Sequence, residues 1–145
     1  MKRERRRART LALQTLYEVD TVGHPAAAVL ARHIDNNQTL SDSNAAFIKE
    51  LVEGVLELAP RLDEYISTCA PEWPVDQIAV LDRNILRMAL WEIAVSEETP
   101  LKVAINEAVE LAKRFGSDSS ARFINGVLGT LAKRSSELRQ QFISS

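Results

Sequence analysis

Lys2, Arg3, Arg5, Arg6, Arg7 and Arg9 place six of the chain's eighteen basic side chains within its first nine residues, with Glu4 the one acid among them. That segment carries +5; the twelve bases and nineteen acids that follow leave −7, so the formal total of −2 conceals two opposite charge distributions. A run of guanidinium groups binds anions, because each is a permanent charge with five N–H donors in a planar fork that matches phosphate geometry. As a helix start the run is poorly placed. The positive end of the helix dipole repels it, and the like-charged pairs Lys2/Arg6, Arg3/Arg7 and Arg5/Arg9 each cost roughly 0.2 to 0.5 kcal/mol. An anionic partner reverses the sign of both effects, and the commonest polyanion for an arginine-rich arm is nucleic acid. A solvated, frayed terminus is the other reading of the same run.

No second group of residues is arranged for chemistry. His24 and His33 are far from each other and from Cys69, the single cysteine, which leaves no metal-ligand spacing and no internal disulfide. There is no phosphate-binding glycine loop, no dinucleotide fingerprint and no nucleophile elbow. Acid pairs such as Glu97 and Glu98 fit a solubilising role better than acid–base catalysis. The reading is a binding protein, not an enzyme, with no cofactor and no metal.

The element that must position the cations is the helix they open. At about 100° per residue, Ala8, Leu11, Ala12, Thr15, Leu16 and Val19 form its core stripe, with Lys2, Arg6 and Arg9 opposite. Leu13 and Tyr17 continue the basic face at steps of four from Arg9. Either the helix is buried on two sides, or charge and an adjacent aromatic form a surface for single-stranded nucleic acid or a protein partner.

Few glycines, few prolines and little period-two alternation make the remainder helical as well. Val22, Gly23 and His24 close the first helix, and Pro25 suits the first turn of a second, which has a weak stripe of Val29, Leu30 and Ile34. Ser41, Asp42 and Ser43 are N-cap candidates for a third, with Phe47, Ile48, Leu51, Val52, Val55 and Leu58 inward and the acidic row Glu50, Glu53 and Glu57 outward. Pro60 is expected to interrupt it, leaving Leu62 to Cys69 as a further turn, and Pro71, Trp73 and Pro74 form a stiff junction. Between Val75 and Val95 apolar residues cover most of the circumference and only Arg83, Asn84 and Arg87 make a polar strip, the pattern of a central bundle helix. Leu101 to Phe115 is a clean amphipathic helix stopped at Gly116. Ser117 and Asp118 cap the next, whose core residues are Phe123, Ile124, Val127, Leu128 and Leu131. Its mid-helix Gly126 and Gly129 imply close approach of another helix backbone or of a nucleic-acid strand, since each glycine costs up to ~1 kcal/mol against alanine. From Ser135 onward the tail reads as polar and frayed.

Three blocks in this order closely resemble the bacterial transcription antitermination factor NusB family. They are RRRARTLALQTLY (Arg5 to Tyr17), DRNILRMALWE (Asp82 to Glu92), and LKVAINEAVELAKRFG with RFINGVL (Leu101 to Gly116 and Arg122 to Leu128). The likeness runs along the whole chain and is weakest between Thr21 and Leu40. It implies an all-α fold of two packed three-to-four-helix sub-bundles, with an N-terminal half over 1–72 and a C-terminal half over 73–145. It also implies binding of boxA-type single-stranded RNA together with the small-subunit ribosomal protein NusE, within the RNA polymerase antitermination complex and in support of ribosomal RNA operon transcription. By position, the family's basic arm falls on Lys2, Arg3, Arg5, Arg6, Arg7 and Arg9, its second RNA-facing surface on Arg122 and Phe123, and its partner contacts on Tyr17 and Asp82. Relatives fused to ribosomal RNA methyltransferases exist, and this chain is expected to be the stand-alone, cytoplasmic form. The alternative, from a different class, is a helical protein–protein interaction scaffold or homodimer without specific RNA recognition.

Overall fold

The computed structural model describes residues 2–96 and 98–143, leaving the side chains of Lys2, Gln141 and Ile143 undescribed. Seven α-helices follow one another among the described residues, with no strand: α1 (Lys2–Val22), α2 (Ala26–Asp35), α3 (Asp42–Cys69), α4 (Val80–Trp91), α5 (Leu101–Phe115), α6 (Asp118–Lys133) and α7 (Ser135–Ile143). They form two compact units, Met1–Glu57 and Leu58–Ser145, and the division falls inside α3, upstream of the Pro71–Pro74 junction.

In the first unit the stripe of α1 is broader than its periodicity suggested. Ala8, Leu11, Ala12, Thr15 and Leu16 are buried as expected and Val19 is half-buried, while Leu13 and Arg9, read as lying on the opposite face, are buried too. Thr15 is fully buried because its hydroxyl donates to the Leu11 carbonyl at 2.8 Å, which leaves no bare polar atom. The helix stops at Gly23, whose φ of +78° is the left-handed conformation that glycine adopts without a Cβ clash, and whose N–H bonds the Val19 carbonyl at 3.1 Å. On α2, Val29 and Leu30 are buried. Glu18 of α1 accepts from Arg32 of α2 and pairs with His24 at 2.8 Å. Those two hydrogen bonds, Arg32's first, bring the Glu18 carboxyl down to about 2 from its ordinary 4.5. Ser41 then caps α3, its hydroxyl accepting from the Asn44 N–H at 3.1 Å.

Pro60 does not interrupt α3, contrary to expectation. Its ring lies on the exposed side of the helix, so the one backbone bond it removes is the main cost. The inward face continues past it with Leu62, Tyr65 and Ile66 all buried, and that burial offsets the lost bond.

In the second unit α4 is apolar almost all round: Ile85, Leu86, Met88, Ala89, Leu90 and Trp91 are buried. Two residues of its polar strip have well-placed partners. Arg87 grips Asp63 with both arms of its fork, Nε to Oδ1 at 2.7 Å and a terminal nitrogen to Oδ2 at 2.6 Å, and Asn84 donates to the Val80 carbonyl at 3.0 Å. A π-helical turn over Glu92–Ser96 extends α4, and buried Glu92 accepts from the Thr99 hydroxyl at 2.8 Å. α5 and α6 pack as a hairpin around Gly116. A Cβ there would stand 2.9 Å from both the Ala112 carbonyl oxygen and Ser120 Oγ, so no side chain fits.

Three expectations are corrected here. The tail is not frayed over Ser135–Ile143, its last two residues lying outside the described ones: α7 packs on the π-helical turn, with Leu138 fully buried, Arg139 Nε donating to the Ile93 carbonyl at 3.2 Å and Phe142 edge-on to Tyr65 at 6.4 Å. Phe115 leaves the α5 stripe and is 40% exposed, lying under the Arg114 guanidinium instead. Gly126 and Gly129 face open space, with nothing of the described chain within 4 Å of where a Cβ would stand, so no helix backbone among the described residues explains them.

Candidate nucleic-acid interface

The first six cations do not share one fate. Arg3, Arg6 and Arg7 are exposed along α1, and the Lys2 side chain lies outside the described residues. Arg5 is half-buried with its guanidinium 4.2 Å from the centre of the Phe47 ring, and Arg9 is only 5% exposed, 5.4 Å from the same ring. Phe47 comes from α3, so a residue that periodicity assigns to the core also holds two of the arm's cations by cation–π attraction. This corrects the placement of Arg9 on the outer face. Its side chain is structural in the free protein, and the exposed set is Arg3, Arg6 and Arg7.

Three further hydrogen bonds hold the arm to its unit. Asn44 of α3 donates to Glu4 at 3.3 Å. Arg7 donates to Asn37 Oδ1 at 2.6 Å and to Thr39 Oγ1 at 3.1 Å, both in the loop between α2 and α3. Further along α1, Tyr17 is 44% exposed, an aromatic facing water where the sequence suggested an interaction surface.

The second unit presents a different surface. Arg122 is exposed at the start of α6, and Phe123, expected in the core, is half-buried and meets Trp73 edge-on at 6.4 Å with the ring planes at 78°. Trp73 is 53% exposed. The two rings line a groove of about 340 Å³ completed by Ile78, Asp82, Ser119 and Ser120. Asp82 is 8% exposed; its Oδ2 accepts from the Ser120 hydroxyl at 3.2 Å, while Oδ1 is buried with no partner among the described residues. Burial raises the Asp82 carboxyl above its ordinary value, and the Ser120 hydrogen bond only partly offsets this. Trp73 was legible in the sequence only as part of a proline-rich junction; an aromatic between two prolines, which cannot join a helix stripe, was the available signal. This surface therefore offers a cation and two aromatic rings, with the Asp82 carboxylate set into the groove beneath them. Among the described residues no cluster of histidine, cysteine, aspartate or glutamate could hold a metal, and no helix is long and apolar enough to cross a membrane.

An all-helical chain with a basic first helix and a second aromatic surface is matched by one family model. That model, of the NusB family, covers residues 6–133.

The chain belongs to the NusB family.

The transcription antitermination protein NusB of Dehalococcoides mccartyi (strain CBDB1) is 48% identical over 141 residues, covering 97% of this chain and 98% of that protein. The transcription antitermination protein NusB of Roseiflexus sp. (strain RS-1) is 49% identical over 138 residues, covering 94% and 96%. Among solved structures, T. maritima NusB superposes with a TM-score of 0.82 at 30% identity, over 89% of this chain and 90% of that one. A crystal structure of the antitermination factors NusB and NusE in complex with double-stranded RNA also gives a TM-score of 0.82, at 22% identity, over 92% and 98%; that likeness speaks for the fold alone. The NusB family is one of transcription antitermination factors rather than enzymes.

Proposed function

We propose that this chain is an RNA-binding transcription antitermination factor that takes boxA-type single-stranded RNA together with the ribosomal protein NusE, in the cytoplasm, as part of the RNA polymerase antitermination complex serving ribosomal RNA operons. The observation that carries the reading is the set of exposed guanidinium groups on α1, Arg3, Arg6 and Arg7, in a chain whose remainder is acidic. The association of NusB and NusE with double-stranded RNA in a structure of the same fold supports the pairing of RNA with NusE, though not the preference for a single strand.

No catalysis is needed. The arginines and Lys2 neutralise phosphates, with Arg5 and Arg9 beside them as the arm's anchored cations. Arg122 supplies a further phosphate contact, and Phe123 beside Trp73 supplies rings on which unpaired bases stack, which favours a single strand over a duplex. Tyr17 and Asp82 are the contacts to NusE: one an exposed aromatic, the other a carboxylate that lines the groove beside Trp73 and Phe123.

The test is anisotropy binding of a boxA-like single strand, a scrambled strand and a duplex, each with and without NusE. The reading requires preference for the boxA-like strand, tightening with NusE, and a log affinity falling with log salt at a slope of about −2 to −3 for three or four engaged cations. Sequence-blind binding indifferent to NusE would move the scaffold reading forward. In that reading the arm of one copy meets the exposed acidic row Glu50, Glu53 and Glu57 of another, and light scattering would find a dimer unaffected by RNA.

A further inference from the structure

Arg7 is held by two neutral acceptors from the loop between α2 and α3. Its two terminal nitrogens each donate one hydrogen bond, to the Asn37 amide oxygen at 2.6 Å and to the Thr39 hydroxyl at 3.1 Å. A guanidinium has five N–H donors, so about three remain for a ligand. Both acceptors are neutral, so the group is fixed in direction while its charge stays uncancelled. A carboxylate in either place would have held it as firmly and neutralised it.

The loop that supplies these acceptors is itself tied down. Asn37 Nδ2 donates to the His33 carbonyl at 2.6 Å, the Asn37 N–H bonds the Ile34 carbonyl at 3.1 Å, and the Leu40 N–H bonds the Asn37 carbonyl at 3.0 Å. Asn37 Oδ1 is therefore presented from a turn with little freedom to withdraw. Arg3 lies one helical turn before Arg7 on α1 and is likewise exposed, so the oriented fork has a second cation beside it.

We propose that Asn37 and Thr39 are positioning residues for RNA binding, holding the Arg7 guanidinium so that its remaining N–H groups meet a backbone phosphate. The inference rests on the RNA-binding reading and extends it to two residues outside the basic arm. A long cationic side chain ordinarily loses its rotamer freedom when it binds; here most of that freedom is already lost on folding, which favours association.

The experiment measures the affinity of the full chain for a boxA-like single-stranded RNA across a salt series. Asn37→Ala with Thr39→Ala is expected to weaken binding about three- to tenfold, with an unchanged salt slope because the charge is still present. Arg7→Ala is expected to lessen the slope by about 0.7. In the Arg7→Ala background the Asn37/Thr39 pair should change affinity by less than about twofold, since its effect acts through Arg7. Thr39→Ser, which keeps the acceptor, should behave as wild type. Asn37→Asp should pair with Arg7, cancel its charge and reproduce the lessened slope of Arg7→Ala. A loss that persists undiminished without Arg7 overturns the proposal, as does full affinity in the double alanine variant of a wild-type chain that binds with the expected slope. A wild-type chain with a slope near zero overturns the RNA reading itself, and this proposal with it.

Discussion

The Arg5 guanidinium lies 4.2 Å from the centre of the Phe47 ring, joining the most basic segment of the chain to the buried face of α3 forty-two positions away. Arg9 approaches the same ring at 5.4 Å. Phe47→Leu keeps most of the buried volume and removes the ring. It is expected to cost about 1 to 2 kcal/mol, two cation–π contacts of roughly 0.5 to 1 kcal/mol each, read as a lower midpoint in chemical denaturation.

Exposure separates Arg6 from Arg9. Arg9→Ala is expected to destabilise the fold by about 1 to 3 kcal/mol through lost packing of a buried stem, with little effect on the salt slope of RNA binding. Arg6→Ala should leave stability within about 0.5 kcal/mol of wild type and lessen the slope by about 0.7. Equal effects of the two substitutions on both measurements would contradict the division of the arm into anchored and exposed cations.

Asp82 makes stability fall as pH rises. Its carboxyl is raised in the folded chain by burial, so across the window above its ordinary 3.8 the unfolded chain loses that proton first and unfolding is favoured. Asp82→Asn should therefore unfold at the same temperature as wild type in acid and at an equal or higher one near neutrality. A variant less stable than wild type only at neutral pH would reverse the sign.

Glu18 works in the opposite sense. Its folded value of about 2 lies below its ordinary 4.5, so the contribution of its Arg32 and His24 contacts is present above about 4.5 and lost as pH falls towards 2. Thermal unfolding of wild type and Glu18→Gln should differ at about pH 6 and converge through that window.

Leu138 tests the docking of α7. Leu138→Ala is expected to cost about 2 to 4 kcal/mol and to expose the segment after Arg134 to proteolysis. An unchanged unfolding midpoint would mean that α7 contributes nothing to the fold.

Much of this protein was legible in its sequence because much of it is decided locally. The stop at Gly23 and the caps at Ser41 and Ser117 depend on residues within about one or two turns, and each stands where the pattern put it, while the nearly all-apolar α4 is present but starts at Val80 rather than Val75. The resemblance blocks, which concern residue identity rather than contact, likewise sufficed for the family. The tertiary structure alone decided which cations are exposed and which are buried. Arg6 and Arg9 are chemically identical and three positions apart on one helix, and the difference between them is made by Phe47, brought in from another helix. The same holds for Pro60, tolerated because its side of α3 faces water, for Leu138, buried by a turn in another part of the chain, and for Phe123, drawn out of the core stripe towards Trp73. Burial is a property of what covers a residue. In a helical chain the cover comes from a distant segment, and periodicity carries no information about its arrival.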